Sequence, residues 1–322
     1  MAGRVAGYLP KGTNYSHMRH WKPQPSSGRW LALVLLLLAL VGAGVLGVQL
    51  AGMLRGAPET WPINLQLYVQ VVGLLALLLL AGALAYRTAA AFTLGYELDR
   101  NGLYILWLGN RVVVPLEQVQ NIDIGMGPLW RPWGVLQNIG YYWGQGRAAD
   151  GRHMHLFSTR PPAQSLVVYT AGEAFGISPA DREAFVQDLE QRRNLGATKP
   201  LASVFEPSRM FLYAFWNDHT VRTLLLIALA LNLIALGVVA ARYPALDAML
   251  RMRFDAAGQV SDLRPRHQVL FLPLAAFGLT LLNTVVGLLF YRAQPVGARL
   301  LQGASVVVQI LFGIAALTII RL

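Results

Sequence analysis

Five stretches of this chain, 30–54, 60–86, 223–241, 268–291 and 300–320, contain no Asp, Glu, Lys, Arg or His. Each supplies the roughly 20 apolar residues with which a helix crosses about 30 Å of hydrocarbon. Backbone polar groups find no water there, so a continuous helix is the form each stretch must take. Trp30, Trp61, Tyr86, Trp216, Tyr243 and Tyr291 stand at or near the ends, where amphipathic rings favour the headgroup level. The composition agrees: 55% of residues are hydrophobic and 13% charged, about half the charged share of a soluble domain. The first stretch is too long for the core of a signal peptide and follows 29 polar residues, so it is expected to remain as a span.

Lys and Arg orient the spans. With the N-terminus inside, segments 1–29, 87–222 and 292–299 lie inside and carry 5, 13 and 2 basic residues. Segments 55–59, 242–267 and 321–322 lie outside and carry 1, 5 and 1. Large domains weigh little in this rule, so the acid-free tail 1–29 and the pair Arg292 and Arg299 decide, although Arg242, Arg251, Arg253, Arg264 and Arg266 pull the other way. The net charge of +11 suits an anionic leaflet, where each basic residue gains about 1 kcal/mol. The arginines are scattered rather than gathered in a stripe, which argues against nucleic acid. The absence of cysteine removes disulfides, thiol catalysis and cysteine metal sites together.

Between the second and third spans the apolar period changes to two. Phe92, Leu94, Tyr96 and Leu98 alternate with Thr93, Gly95, Glu97 and Asp99, the pattern of a half-buried strand. Asp99-Arg100-Asn101-Gly102 reads as a turn, and Gly109-Asn110 as a two-residue hairpin between strands 103–108 and 112–114. Further strands are expected at 119–124, 138–143, 153–158 and 166–170. Seven short strands at this spacing predict a small antiparallel barrel or sandwich. One helix follows, with Ser178 as cap, Pro179 in its first position and Asp181 at its third. Phe185, Val186 and Leu189 form its apolar stripe, and Arg192 and Arg193 suit its C-terminal end before Gly196.

Residues 92–194 resemble the bacterial pleckstrin-homology domains that occur beside membrane helices. The resemblance rests on Arg131-Pro132-Trp133-Gly134, Tyr142-Trp143-Gly144, Leu156-Phe157-Ser158-Thr159, Val168-Tyr169-Thr170 and, most specifically, Ile177-Ser178-Pro179-Ala180-Asp181 with Phe185 and Leu189 behind it. It implies a strand barrel plugged at one end by a C-terminal helix, a scaffolding or recognition role, and no catalysis. A second resemblance covers 243–290, through Tyr243-Pro244-Ala245-Leu246, Arg253-Phe254-Asp255-Ala256-Ala257-Gly258, Leu272-Pro273 and Leu282-Asn283. These residues are similar to a small membrane domain that also occurs in Sdp-type immunity and signalling proteins of bacteria. That likeness implies an alternative role, ligand sensing through the outer loop 242–267.

Chemistry-bearing residues are sparse. His153 and His155 lie two apart on an expected strand, with no third ligand at metal spacing, and read as polar residues on a solvent face. No nucleophile motif, HExxH or phosphate-binding glycine loop is present. No cofactor, metal or small-molecule substrate is indicated, and no enzymatic activity is expected. The deep amides Asn232, Asn283 and Gln309 are expected to hydrogen-bond between helices, the alternative being a transport or lipid-handling pathway. A specific inositol phosphate site needs converging cations, and the first hairpin region offers only Arg100 and Arg111. Two stretches suit recognition: Trp130, Arg131 and Trp133 as contacts to a partner or lipid, and Phe211, Phe215 and Trp216 as interfacial anchors.

The chain is therefore expected to comprise a basic cytoplasmic tail (1–29), membrane helices 1 and 2 (30–86), a PH-like domain (87–196), a linker with an interfacial segment (197–222), helix 3 (223–241), an outer loop (242–267) and helices 4 and 5 (268–322). Its fold class is five transmembrane helices with an inserted PH-like antiparallel barrel capped by a helix. The expected role is a scaffold or accessory subunit in the bacterial cytoplasmic membrane, whose partners are membrane lipids and other membrane proteins. Because the chain has no cysteine, Tyr15→Cys and Gly258→Cys each introduce a single thiol. An impermeant thiol reagent should label them from opposite sides of the membrane, and labelling of both from one side would overturn this topology.

Overall fold

The computed structural model describes residues 18–124, 142–147, 150–206, 215–216, 218–254 and 260–321. Its helices are α1 (Gly28–Met53), α2 (Leu65–Thr93), α3 (Arg182–Asn194), α4 (His219–Arg242), α5 (Phe271–Phe290) and α6 (Pro295–Arg321). All but α3 lie in segments long and apolar enough to cross a membrane, so the chain is a multi-pass membrane protein. Their starts follow local chemistry. Asn64 accepts the Leu67 amide at 2.9 Å ahead of α2, and Asp218 accepts the Thr220 and Val221 amides at 2.9 and 3.3 Å ahead of α4. Pro295 opens α6, where its missing N–H costs nothing.

The chain divides into two compact units, 1–35 with 83–208 and 36–82 with 209–322. In the first, α2 runs to Thr93 and takes in Phe92 and Thr93, which the alternation assigned to a strand. Ala89, Ala90 and Ala91 are strong helix formers, and Ala90 and Ala91 are buried in the sheet core, so the helix continues past its apolar window.

The strands of this unit are β1 (Arg19–Trp21), β2 (Gly95–Leu98), β3 (Gly102–Trp107), β4 (Asn110–Pro115), β5 (Val119–Ile124), β6 (Tyr142–Arg147), β7 (His153–Ser158), β8 (Leu166–Thr170), β9 (Glu173–Ile177) and β10 (Val204–Glu206). Among the described residues they form two open five-stranded sheets, ordered β1-β2-β3-β4-β10 and β5-β8-β9-β7-β6, rather than one closed barrel. Nor is the pairing wholly antiparallel, since β7 and β9 run parallel with His153 opposite Glu173. The segment after β7 carries Pro161 and Pro162 and a short 3-10 turn, so it cannot close a hairpin. It carries the chain two places over to β8, and β9 returns between them. Strand β9 escaped the periodicity because Ala174 and Gly176 dilute its pattern, although four of its five residues are buried.

The Asp99 turn forms as expected. Asp99 Oδ1 accepts the Asn101 and Gly102 amides, both at 2.7 Å, and Oδ2 accepts the Tyr104 hydroxyl at 2.9 Å. The next hairpin turns one residue earlier than Gly109-Asn110: Trp107 pairs with Asn110, and the turn is Leu108-Gly109 at φ 47° and 74°. Positive φ at both positions suits the twist of the strands, and the Leu108 amide donates to Thr93 Oγ1 at 3.0 Å.

Helix α3 begins at Arg182, with Asp181 as its cap accepting the Ala184 amide at 3.0 Å. This corrects the expected start at Ser178 and Pro179. Those residues are extended because the chain ahead of α1 binds them: the Gln24 amide donates to the Ser178 carbonyl at 2.8 Å and the Ala180 amide to the Lys22 carbonyl at 2.9 Å. Phe185 and Leu189 on α3 are fully buried in the core between the sheets, and Trp21 of β1 meets Phe185 edge to face at 5.5 Å.

In the second unit α5 and α6 pack on α4 and on each other. Segment 242–267, expected as a loop, holds a bulged hairpin of β11 (Met249–Phe254) and β12 (Val260–Pro265). Leu250 turns into an apolar cluster with Ile63, Leu67, Val239, Tyr243 and Val269, which gives the hairpin a buried side.

Phe185→Ala should destabilise the first unit by about 3–5 kcal/mol, whereas Glu190→Ala, exposed on the same helix, should stay within about ±0.5 kcal/mol. Thermal melting of the full-length protein in detergent measures both. Equal, small shifts would mean that α3 does not close the core.

Candidate functional site

Of the residues expected to recognise something, Trp130, Arg131, Trp133 and Phe211 lie outside the described residues. Phe215 and Trp216 are described, and they differ. Trp216 is 48% exposed, but Phe215 is wholly buried. Its ring meets Tyr291 edge to face at 5.6 Å and packs with Val221 and Ala298, so it holds helix ends together and cannot reach lipid.

Beside Phe215 lies a cluster that the apolar windows gave no reason to expect. Asp218 caps α4 and also accepts the Tyr291 hydroxyl and Arg299 Nε on Oδ2, each at 2.8 Å. One carboxylate thereby ties the start of α4 to the end of α5 and the first turns of α6. Burial alone would raise the Asp218 carboxyl. The hydrogen bonds from Tyr291, Arg299 and the Val221 and Thr220 amides outweigh it and bring the group down to about 2.

The deep amides form a seam through the same helices. Asn232 Nδ2 donates to Gln309 Oε1 at 2.9 Å and to the Pro273 carbonyl at 2.8 Å, joining α4, α6 and α5. Gln309 Nε2 donates to Thr280 Oγ1 at 2.9 Å, and Asn283 Nδ2 to Ser305 Oγ at 3.1 Å. Asn232 and Gln309 are buried. A Cβ at Gly287 would lie 2.8 Å from Gln302 Nε2, so a side chain there would displace the end of that glutamine.

In the first unit, His153 is exposed at the start of β7, as expected, whereas His155 is half-buried on the side of the strand that carries Phe157. His155 stacks with Phe175 at 5.6 Å between ring centres, and its Nε2 is 3.7 Å from Glu173 Oε1. Burial lowers the His155 pKa and the Glu173 carboxylate works against it. Among the described residues no three His, Asp or Glu side chains are placed to hold a metal ion. Arg100 donates to the carbonyls of Leu195 and Gly196 at 2.8 and 2.9 Å, and Arg111 lies 4.1 Å from the Tyr104 ring centre. Both cations of the first hairpin region are thus drawn into local contacts.

The core below these residues is held by polar groups as well as apolar ones. Tyr96 donates to the Phe157 carbonyl at 2.8 Å and accepts the Ser178 amide at 3.0 Å. Burial pushes the Tyr96 hydroxyl up to about 12, against the Ser178 hydrogen bonds. Ser178 Oγ accepts the Thr159 amide at 2.9 Å. Residues 94–193, from the last turn before β2 to the last turn of α3, match the family model described as a bacterial PH domain. That segment is a bacterial PH domain. No curated protein and no solved structure matches the chain. The PH domain here recruits β1 from outside the matched segment, and Trp21, buried against Phe185, belongs to its core.

The depressed Asp218 carboxyl makes the second unit acid-sensitive in a defined window. A carboxyl held below its ordinary value contributes stability above that value, 3.8, which is lost as pH falls toward about 2. Asp218→Asn keeps a capping side chain but no titrating group. It should remove that acid-side loss, measured by melting the detergent-solubilised protein across the window. An unchanged acid profile would show that Asp218 does not carry it.

Proposed function

We infer that the chain is a non-catalytic protein of the bacterial cytoplasmic membrane that serves as a scaffold or accessory subunit. Its PH domain, on the cytoplasmic side, docks a protein partner or the lipid surface. The observation that carries this reading is strand β1. It pairs with β2, Arg19 opposite Leu98 and Trp21 opposite Tyr96. Six residues join β1 to α1, and a single residue, Leu94, joins α2 to β2. The sheet is therefore sewn to two membrane helices through adjacent strands instead of hanging from a flexible linker. Tethering of that kind raises the effective concentration of a docking surface for other membrane components and lowers the ordering cost of association.

The non-catalytic part is supported by the work its carboxylates already do. Asp99 holds a turn and Asp181 caps α3, Asp188 accepts Arg192 Nε at 2.8 Å, and Asp150 pairs with Arg152 at 2.9 Å. The basic tail supports the cytoplasmic orientation. A second reading, sensing on the opposite side, is favoured by the hairpin of β11 and β12, which is anchored by Leu250 and by Arg266 lying 4.9 Å from the Tyr243 ring centre.

Gentle solubilisation of the native membrane followed by purification of the full chain separates these readings. A stoichiometric membrane protein that co-purifies and crosslinks to the PH domain is the expected result. Crosslinks confined to segment 249–265 would favour sensing instead, and purification without any partner from membranes of the native host would count against the scaffold.

A further inference from the structure

Arg29 is a cation in an aromatic corner, and no anion among the described residues pairs with it. It is the second residue of α1. Its guanidinium carbon lies 5.4 Å from the ring centre of Phe92 and 5.7 Å from that of Trp30. The two rings meet edge to face at 5.6 Å. Phe92 belongs to the last turn of α2, so the corner joins the start of one apolar helix to the end of the next within one compact unit. Among the described residues no carboxylate pairs with Arg29, and its Nε is buried without a hydrogen-bond partner. A guanidinium is a fork of five donors that matches phosphate geometry. Ring faces attract its charge but satisfy none of those donors.

The surroundings have the same bias. The first turn of α1 contains no acidic residue, so the positive end of a 26-residue helix adds to the charge of Arg29. Trp30 is 56% exposed and Phe92 46%. Trp30 opens the first uncharged stretch, where an amphipathic ring sits at the level of glycerol and headgroups. A forked donor with no anion among the described residues, a helix start and two exposed rings at that level fit an anionic phospholipid. A free anion would use the donors and leave the rings without an occupant.

We propose that Arg29, with Trp30 and Phe92, forms a site for the phosphate of an anionic phospholipid where α1 and α2 meet the PH domain. The site lies on the helix ends, apart from the first hairpin region. It differs from general leaflet attraction in depending on one arginine and on uncharged rings.

The test is titration of the detergent-purified full chain with phosphatidylglycerol and with phosphatidylcholine, read by native mass spectrometry. Arg29→Gln should weaken binding of the first phosphatidylglycerol about tenfold. Phe92→Leu keeps every charge and should weaken it about threefold. Arg222→Gln removes a charge from an exposed position in the first turn of α4 and should change it less than about twofold. Phosphatidylcholine should not distinguish wild type from Arg29→Gln. Equal losses in Arg29→Gln and Arg222→Gln, or no loss in Phe92→Leu, would overturn the proposal in favour of diffuse electrostatics. Displacement of the lipid by excess inorganic phosphate would overturn it in favour of a free anion. If Arg29→Gln lowers the melting temperature, Phe92→Leu and the phosphate arm decide.

Discussion

Everything in the first unit depends on a strand pairing that spans two membrane helices. Arg19–Trp21 lies ahead of α1 and Gly95–Leu98 follows α2, yet they are neighbours in one sheet. The pairing closes a loop that contains both helices. It sets Trp21 against Phe185 of α3 and brings residues 22–24 onto residues 178–180. A domain built this way cannot be cut out between its first and last family-matched residues without losing an edge strand and a core tryptophan. An edge strand is also a liability, since its unpaired groups invite other chains. Here β1 and β10 cover the two sides of the central hairpin strands.

The interior of the PH domain combines apolar packing with a small buried polar network. Tyr96, Ser158, Thr159, Ser165 and Ser178 lie where water is excluded. Their hydroxyls are satisfied by one another and by backbone groups: Tyr96 by Phe157, Ser158 by Ser165 at 2.7 Å, and Thr159 by the Gln24 carbonyl at 2.7 Å. An unsatisfied buried hydroxyl costs about 1–3 kcal/mol. The network therefore penalises any register in which the segment ahead of α1 fails to reach β7 and β9.

The membrane helices obey a different balance. Lipid is as apolar as leucine, so burying apolar side chains between helices gains little, and close packing and hydrogen bonds must hold them. The seam of Asn232, Gln309 and Thr280 supplies the bonds, and Gly287 leaves room for the buried Gln302 amide. At the end of the bundle, Asp218 joins three helices through Tyr291 and Arg299. The ion pair stands at a helix boundary, where partial hydration reduces the cost of burying charge.

Much of this was legible in the chain because its causes are local. A window without charge has to span or be buried whatever its neighbours do, and strands 119–124, 153–158 and 166–170 announce themselves by period and turn chemistry. The stripe of Phe185 and Leu189 likewise needs no partner to be recognised. Other features depend on groups far apart in sequence. Whether Ser178 caps a helix or bridges two strands depends on Gln24 and Lys22, more than 150 residues earlier. Strand β1 has only three residues and no pattern, and Phe215 reads as an anchor until Tyr291 is seen against it. The pairing of β7 with β9 in parallel depends on β8 and β9 forming their hairpin first and docking beside it, which the residues of β7 do not specify. Charge exclusion and residue periodicity by themselves determined the spans and most of the strands, since those are properties of contiguous residues in a given solvent. Only the tertiary structure decided which strand lies beside which, and which polar groups satisfy each other, because those choices rest on partners that the backbone brings together only once it has folded.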